Sequence, residues 1–296
     1  MGKMLFEGIY SAIFSVYDEN LDVKKDSVAK LVEYQLDGGV NGFYVGGNTG
    51  ECTILPAKTR KQMLETVISA NAGRGQIMAH IGAGHFDEVM DLLEHANSQK
   101  IDAISSLPPS LQQYFDQEET IEYYKILAKK SKFPVYAYIK NVNFDVVNFA
   151  KELSEIDNVA GIKMTVPNYY AMEQIKQIKG GQLNILNGPD ESLLCGLCVG
   201  ADGAIGTTYN IMPKTAVKIY NNFKSGNIAE ALKEQHNLNN KLINIAFGKN
   251  LAYWKAVMTT IGFDMGYTEK PAKLCSEEVI NDLKNKLDAL GFYGEL

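Results

Sequence analysis

A lysine in the segment VAGIKM, residues 159–164, has the setting in this chain that most strongly suggests chemistry. Lys163 falls among apolar neighbours, where an ammonium is expensive to bury. Strand alternation groups Val159, Gly161 and Lys163 on one face. If that face lines a closed interior, desolvation lowers the amine's pKa and leaves a neutral nucleophile able to form an imine with a carbonyl. The competing reading is a strand-end lysine that snorkels to solvent, and spacing alone leaves the two level. Tyr138, in VYAYI, falls in the apolar run before it. From a neighbouring strand its phenol can reach the amine or a substrate and shuttle protons, although a tyrosine in such a run, taken alone, reads first as core packing. The glycine-rich GGNTGE at 46–51 allows close backbone approach and offers amide donors to a carboxylate, with Asn48 and Thr49 adding side-chain donors. By itself that loop is weak evidence, because glycines after strands often only make turns.

What must position these residues is legible as alternation. Short runs rich in β-branched and aromatic residues fall near residue 10 and at 42–47, 77–82, 102–107, 135–139, 159–164, 184–188 and 203–206. Between them lie amphipathic stretches such as KDSVAKLVEYQLDGG, stopped by Gly38 and Gly39, and PAKTRKQMLETVISANAGRG, opened by Pro56 and closed by Gly73. Such alternation predicts an α/β fold with a parallel sheet, and eight units fit a closed (β/α)8 TIM barrel. After Pro213 the pattern is helical to the end, so the chain of 296 residues reads as one domain, with the barrel over about 1–222 and a C-terminal helical extension over about 223–296. Barrels of this kind need about 250 residues and place their active sites where the strands end. Tyr138 and Lys163 close the fifth and sixth strands, GGNTGE follows the second, Gly188-Pro189-Asp190-Glu191 the seventh, and Gly206-Thr207-Thr208-Tyr209-Asn210 the eighth.

Composition narrows the partners. Hydrophobic residues make up 46% and charged residues 22% of the chain, and its formal net charge is -6. That balance suits a folded core and supplies no basic field for nucleic acid or anionic lipid, so an anionic substrate must be held by local dipoles and hydrogen bonds. The four cysteines are scattered, as expected of a reducing cytoplasm. Cys195 and Cys198 have metal-ligand spacing, yet within SLLCGLCVG and without a second pair they read as buried helix packing rather than zinc. Of the four histidines, His80 reads as packing and His85 as a loop residue, and none has metal spacing. GAGH at 82–85 lacks the rest of a dinucleotide fingerprint. The opening residues contain no apolar run suited to a secretory signal or membrane span. No metal or nucleotide cofactor is expected, and the protein is expected in the cytoplasm, without nucleic-acid or membrane partners.

In the order GGNTGE, Tyr138, GIKMT (161–165), NGPDE (187–191) and GADGAIGTTYN (200–210), the chain resembles the N-acetylneuraminate lyase and dihydrodipicolinate synthase family of pyruvate-dependent class I aldolases, over nearly its whole length. The resemblance implies that Lys163 forms a Schiff base with a 2-keto acid, that Tyr138 transfers protons, that Asn48 and Thr49 cradle the carboxylate, and that the protein is a homotetramer. The sialic acid branch is the nearer match: Gly188, Asp190 and Glu191 fall in its polyol-binding pattern, Thr165 matches a substrate-contacting threonine, and Thr207 stands for a serine in a G-S-T-Y-N segment. The expected activity is cleavage of a 2-keto sugar acid, N-acetylneuraminate first, to pyruvate and an aldose. The synthase branch carries an arginine where this chain has Asn143.

Departures keep other readings open. Asn48 replaces the usual serine, so a hydroxyl that would relay a proton to Tyr138 is missing. Tyr138-Ile139-Lys140-Asn141 replaces a Tyr-Asn-Ile-Pro run, and Pro108 to Gln113 replace a pair of tyrosines, for which Tyr114 is a candidate substitute. A related aldolase, synthase or dehydratase on another 2-keto acid, or a catalytically silent ligand-binding barrel, are the alternatives.

Overall fold

The computed structural model describes residues 6–109, 115–140 and 143–296. Eight parallel strands close into a barrel in sequence order: β1 (Gly8–Ala12), β2 (Gly42–Val45), β3 (Gln76–His80), β4 (Ala103–Ser106), β5 (Val135–Ile139), β6 (Val159–Met164), β7 (Asn184–Asn187) and β8 (Gly203–Gly206). Helices α1 (Lys25–Asp37), α2 (Ala57–Asn71), α3 (Phe86–Asn97), α4 (Gln117–Lys130), α5 (Val146–Leu153), α6 (Tyr169–Gln177), α7 (Leu193–Cys198) and α8 (Pro213–Lys224) follow the strands in turn. Each expected strand is present, and the (β/α)8 TIM barrel is the observed fold.

Two cores result, because each strand sends alternate side chains inward and outward. The outer core packs residues such as Ile9, Phe43, Ile77, Ile104, Ile162 and Ile185 against the helices. The inner core is largely aromatic, with Phe6, Tyr10, Tyr44, Tyr136 and Tyr138 beside Met78, Leu186 and Ile205. Buried phenols need partners. Tyr10 donates to Gln76 Oε1 at 2.6 Å and Tyr136 to Asn184 Oδ1 at 2.8 Å on the floor of the barrel, while Tyr44 donates to Ser105 Oγ at 3.1 Å nearer the mouth.

After α8 the regular elements are all helices, as expected, but the long stretch from 215 to 248 is not continuous and residues 261–276 are non-helical. Gly226 (φ 80°) separates α8 from α9 (Ile228–Leu238), which widens into a π-helical turn at Asn239–Ile243 before the short α10 (Asn244–Ala246). Then come α11 (Leu251–Thr260) and α12 (Glu277–Ala289). Among the described residues no helix is long and apolar enough to cross a membrane.

One expectation fails. Cys195 and Cys198 are exposed, not buried, while Leu193, Leu194 and Leu197 carry the packing of α7. At a separation of three, the two cysteines share one helix face, and in this short helix that face is turned to solvent.

Candidate active site

The barrel register brings the two principal candidates side by side. Tyr138 on β5 pairs with Lys163 on β6, so both side chains project to the same, inner face near the strand ends. Lys163 is 5% exposed, and its Nζ lies 4.3 Å from the Tyr138 ring centroid and 4.2 Å from that of Tyr44. The amine therefore occupies an aromatic slot. Burial lowers its pKa from 10.5 to about 7, against the opposing pull of Asp190 and Cys52 and with help from the like charge of Lys140. The snorkelling alternative is excluded by this burial.

Tyr138 is itself buried, which raises its pKa to about 12, while the neighbouring Thr165 hydroxyl opposes the shift without making a well-formed hydrogen bond. Thr165 directly follows β6 and its Oγ1 lies against Gly188, where a Cβ would come within 2.2 Å of it; any larger residue at 188 would displace that hydroxyl. His80 packs against Tyr44 and Tyr138, with Nδ1 donating to the Gly46 carbonyl at 3.0 Å and Nε2 accepting from Leu107 N–H at 3.1 Å. Burial, joined by the like charges of Arg60 and Lys163, holds its pKa well below the usual 6.5 against the hydrogen bond to Gly46, so the ring is neutral and is the packing residue expected.

The loop after β2 wraps the mouth. Gly47 passes so close to Tyr44 that a Cβ would lie 2.3 Å from its ring, which only glycine tolerates. Thr49 Oγ1 meets Thr207 Oγ1 at 2.7 Å, joining the loops after β2 and β8. Ser15 Oγ donates to the Gly50 carbonyl at 2.9 Å. Asn48 is half-buried, and its Oδ1 accepts from the Cys52 thiol at 3.3 Å, which leaves the amide's two N–H groups as its remaining donors. Asp190 is buried opposite. Its Oδ2 accepts from the Thr208 backbone N–H at 2.6 Å, yet desolvation still raises its pKa to about 6. Glu191, beside it, is exposed at the rim.

Residues 5–290 match the model of the dihydrodipicolinate synthetase family. The chain belongs to that family. It is 29% identical over 283 residues to an N-acetylneuraminate lyase of Clostridium perfringens, covering 94% of this chain and 97% of that one. It is 32% identical over 268 residues to N-acetylneuraminate lyase 2 of Escherichia coli O6:H1, covering 86% of each. The solved structure of Proteus mirabilis N-acetylneuraminate lyase superposes with a TM-score of 0.90 at 24% identity, over 97% of this chain and 99% of that one, which speaks for the fold.

Beyond what sequence reasoning named, the structure adds four residues to the candidate site of this dihydrodipicolinate synthetase family member. Tyr44 forms one wall of the lysine slot, a place its inward position on β2, two residues before Gly46, already specifies. Cys52 lies under Asn48. Arg60 and Lys255, both buried, hold the loop after β2 from beneath and from the C-terminal helices. Tyr114 and Asn141 lie outside the described residues, and Asn143 lies just beyond Asn141.

Proposed function

We propose that this protein is a Schiff-base aldolase that cleaves a 2-keto sugar acid to pyruvate and an aldose, with N-acetylneuraminate as the first candidate substrate. The observation that carries the reading is Lys163, an amine made partly neutral at pH 7 by burial between two aromatic rings at the C-terminal end of β6. The names borne by the relatives support lyase chemistry on this substrate class.

In this reading the neutral amine adds to the C2 keto carbon and water leaves, giving a protonated imine. The imine draws electrons as the C4 hydroxyl loses its proton, the C3–C4 bond breaks, and the aldose departs as an aldehyde. The bonding pair remains as an enamine, which takes a proton at C3, and hydrolysis returns pyruvate and free Lys163. Tyr138 serves the proton steps: its pKa of about 12 keeps the phenol protonated on substrate entry, and the cationic imine formed beside its ring then favours proton release. Asn48, Thr49 and Thr207 hold the carboxylate. Thr165, Gly188, Asp190 and Glu191 line the side toward the polyol. The lysine imine is the electron sink, so the scheme calls on no metal or nucleotide.

The same reading takes the protein as a homotetramer in the cytoplasm, where its four free thiols would stay reduced. Light scattering after gel filtration tests the assembly. The activity is tested by pyruvate release from N-acetylneuraminate with wild type and Lys163→Ala. Release that vanishes in the variant supports substrate and nucleophile together. Borohydride-trapped pyruvate without release from the sugar acid would favour another 2-keto acid, a reading that the asparagine at position 48 keeps open.

A further inference from the structure

Arg60 sits in α2, below the loop that carries Asn48 and Thr49, and is only 4% exposed. Its guanidinium donates to three carbonyls: Cys52 at 3.3 Å, His80 at 2.9 Å and Gly46 at 3.5 Å. Its Nε has no partner among the described residues, and no carboxylate among them lies within ion-pair distance of it. Glu88 acts on it only through space. The other buried cation at this loop, Lys255, is paired with the buried Glu51 at 3.3 Å. Two buried cations and one carboxylate therefore anchor the loop, which leaves Arg60 there without a carboxylate partner among the described residues.

Satisfying three carbonyls does not require a charge, since neutral amides do the same, whereas an unpaired buried guanidinium is costly. The charge also has a path to the mouth. The Gly46 carbonyl accepts from both Arg60 and His80 Nδ1, and two donors on one carbonyl polarise the peptide whose N–H belongs to Gly47, in the loop itself. Resting on the proposed function, we propose that Arg60 is the counter-charge for the substrate's carboxylate, a positioning residue that acts through the GGNTGE loop without touching the ligand. A net charge of -6 makes such a local positive centre the more necessary.

The test compares two small keto ligands that differ in charge, pyruvate and its neutral methyl ester, by the concentration dependence of borohydride trapping at Lys163. In Arg60→Gln, half-saturation by pyruvate should rise roughly tenfold while that of the ester shifts less than about twofold, the scale of one charge acting over about 12 Å at an effective dielectric of about 20. Arg60→Lys, which keeps the charge but not the planar fork, should recover most of the difference. Equal losses for both ligands, or none, would overturn the inference and reduce Arg60 to a structural support. If Arg60→Gln does not fold, Arg60→His carries the test: lowering the pH must favour pyruvate over the ester in that variant beyond the change in wild type, and a flat ratio overturns the inference. A wild type that traps neither ligand overturns the aldolase reading itself, an outcome distinct from a loss blind to charge.

Discussion

Lys163 and Tyr138 are register partners on adjacent parallel strands, and the amine of one lies 4.3 Å from the ring centroid of the other. Burying the amine there has an energetic cost. The amine's pKa of about 7 lies below its ordinary 10.5, so between those values folding releases a proton and stability rises with pH. Below about 7 the folded protein carries a buried charge. Lys163→Met should therefore stabilise the fold by up to a few kcal/mol at pH 6, with the gain shrinking toward pH 10, while abolishing imine trapping. Thermal unfolding of both proteins across that range is the measurement. A gain independent of pH would mean that the amine is not desolvated as described.

Tyr138→Phe keeps the ring against Lys163 and removes only the hydroxyl. Imine formation with pyruvate should persist, while the rate of carbon–carbon cleavage falls by roughly 10²–10⁴-fold, the range for a lost proton-transfer group. Steady-state turnover beside borohydride trapping separates the two steps. If cleavage survives the substitution, the proton passes through another group, with the Thr165 hydroxyl beside the ring the first to examine.

The parts of this site that stand out in the sequence by themselves are local violations of pattern, whereas Tyr138 in VYAYI reads first as core and gains meaning only beside Lys163. Lys163 is a cation in an apolar strand, and GGNTGE is a glycine cluster where a strand should end. Arg60 violates nothing locally. In AKTRKQMLETVISAN it reads as one more basic residue of an amphipathic helix, and only the tertiary fold places it under the loop. Lys255 was within reach, because LAYWKAVMTTIG sets a cation in an apolar helix as VAGIKM does in a strand. The cysteines of α7 were misplaced because six residues are too few to show which face turns to solvent. The departure at Asn48 is a single-residue matter in the sequence, and its hydrogen bond with Cys52 is a fact of geometry alone.

The field around Lys163 predicts two opposite shifts in pH dependence. Imine formation needs the neutral amine, so its rate constant should rise with pH to a plateau above about 7. Lys140 is a like charge that lowers the lysine's pKa, and Lys140→Met should move this limb to higher pH. Asp190 raises it, so Asp190→Asn should move the limb to lower pH. Single-turnover trapping of pyruvate between pH 5 and 9 reads both, and shifts of the same sign in the two variants would contradict the electrostatics described.

Lys255 and Glu51 provide the clearest test of how the C-terminal helices support the site. Their side chains are 2% and 1% exposed, and Lys255 also donates to the Tyr267 carbonyl at 3.0 Å and lies 4.5 Å from the Tyr17 ring centroid. Glu51 holds a positive φ of 61°, a conformation that a side chain tolerates only when its surroundings impose it. Lys255→Met strands a buried carboxylate and should cost about 3–5 kcal/mol in urea unfolding. Adding Glu51→Gln removes the stranded charge and should return a large part of that loss, because much of the cost lies in the unpaired ion rather than in the missing attraction. Losses that simply add would show that the two residues stabilise the fold independently. In that case the loop after β2 is held by Arg60, Ser15 and Thr207, and the C-terminal helices contribute packing alone.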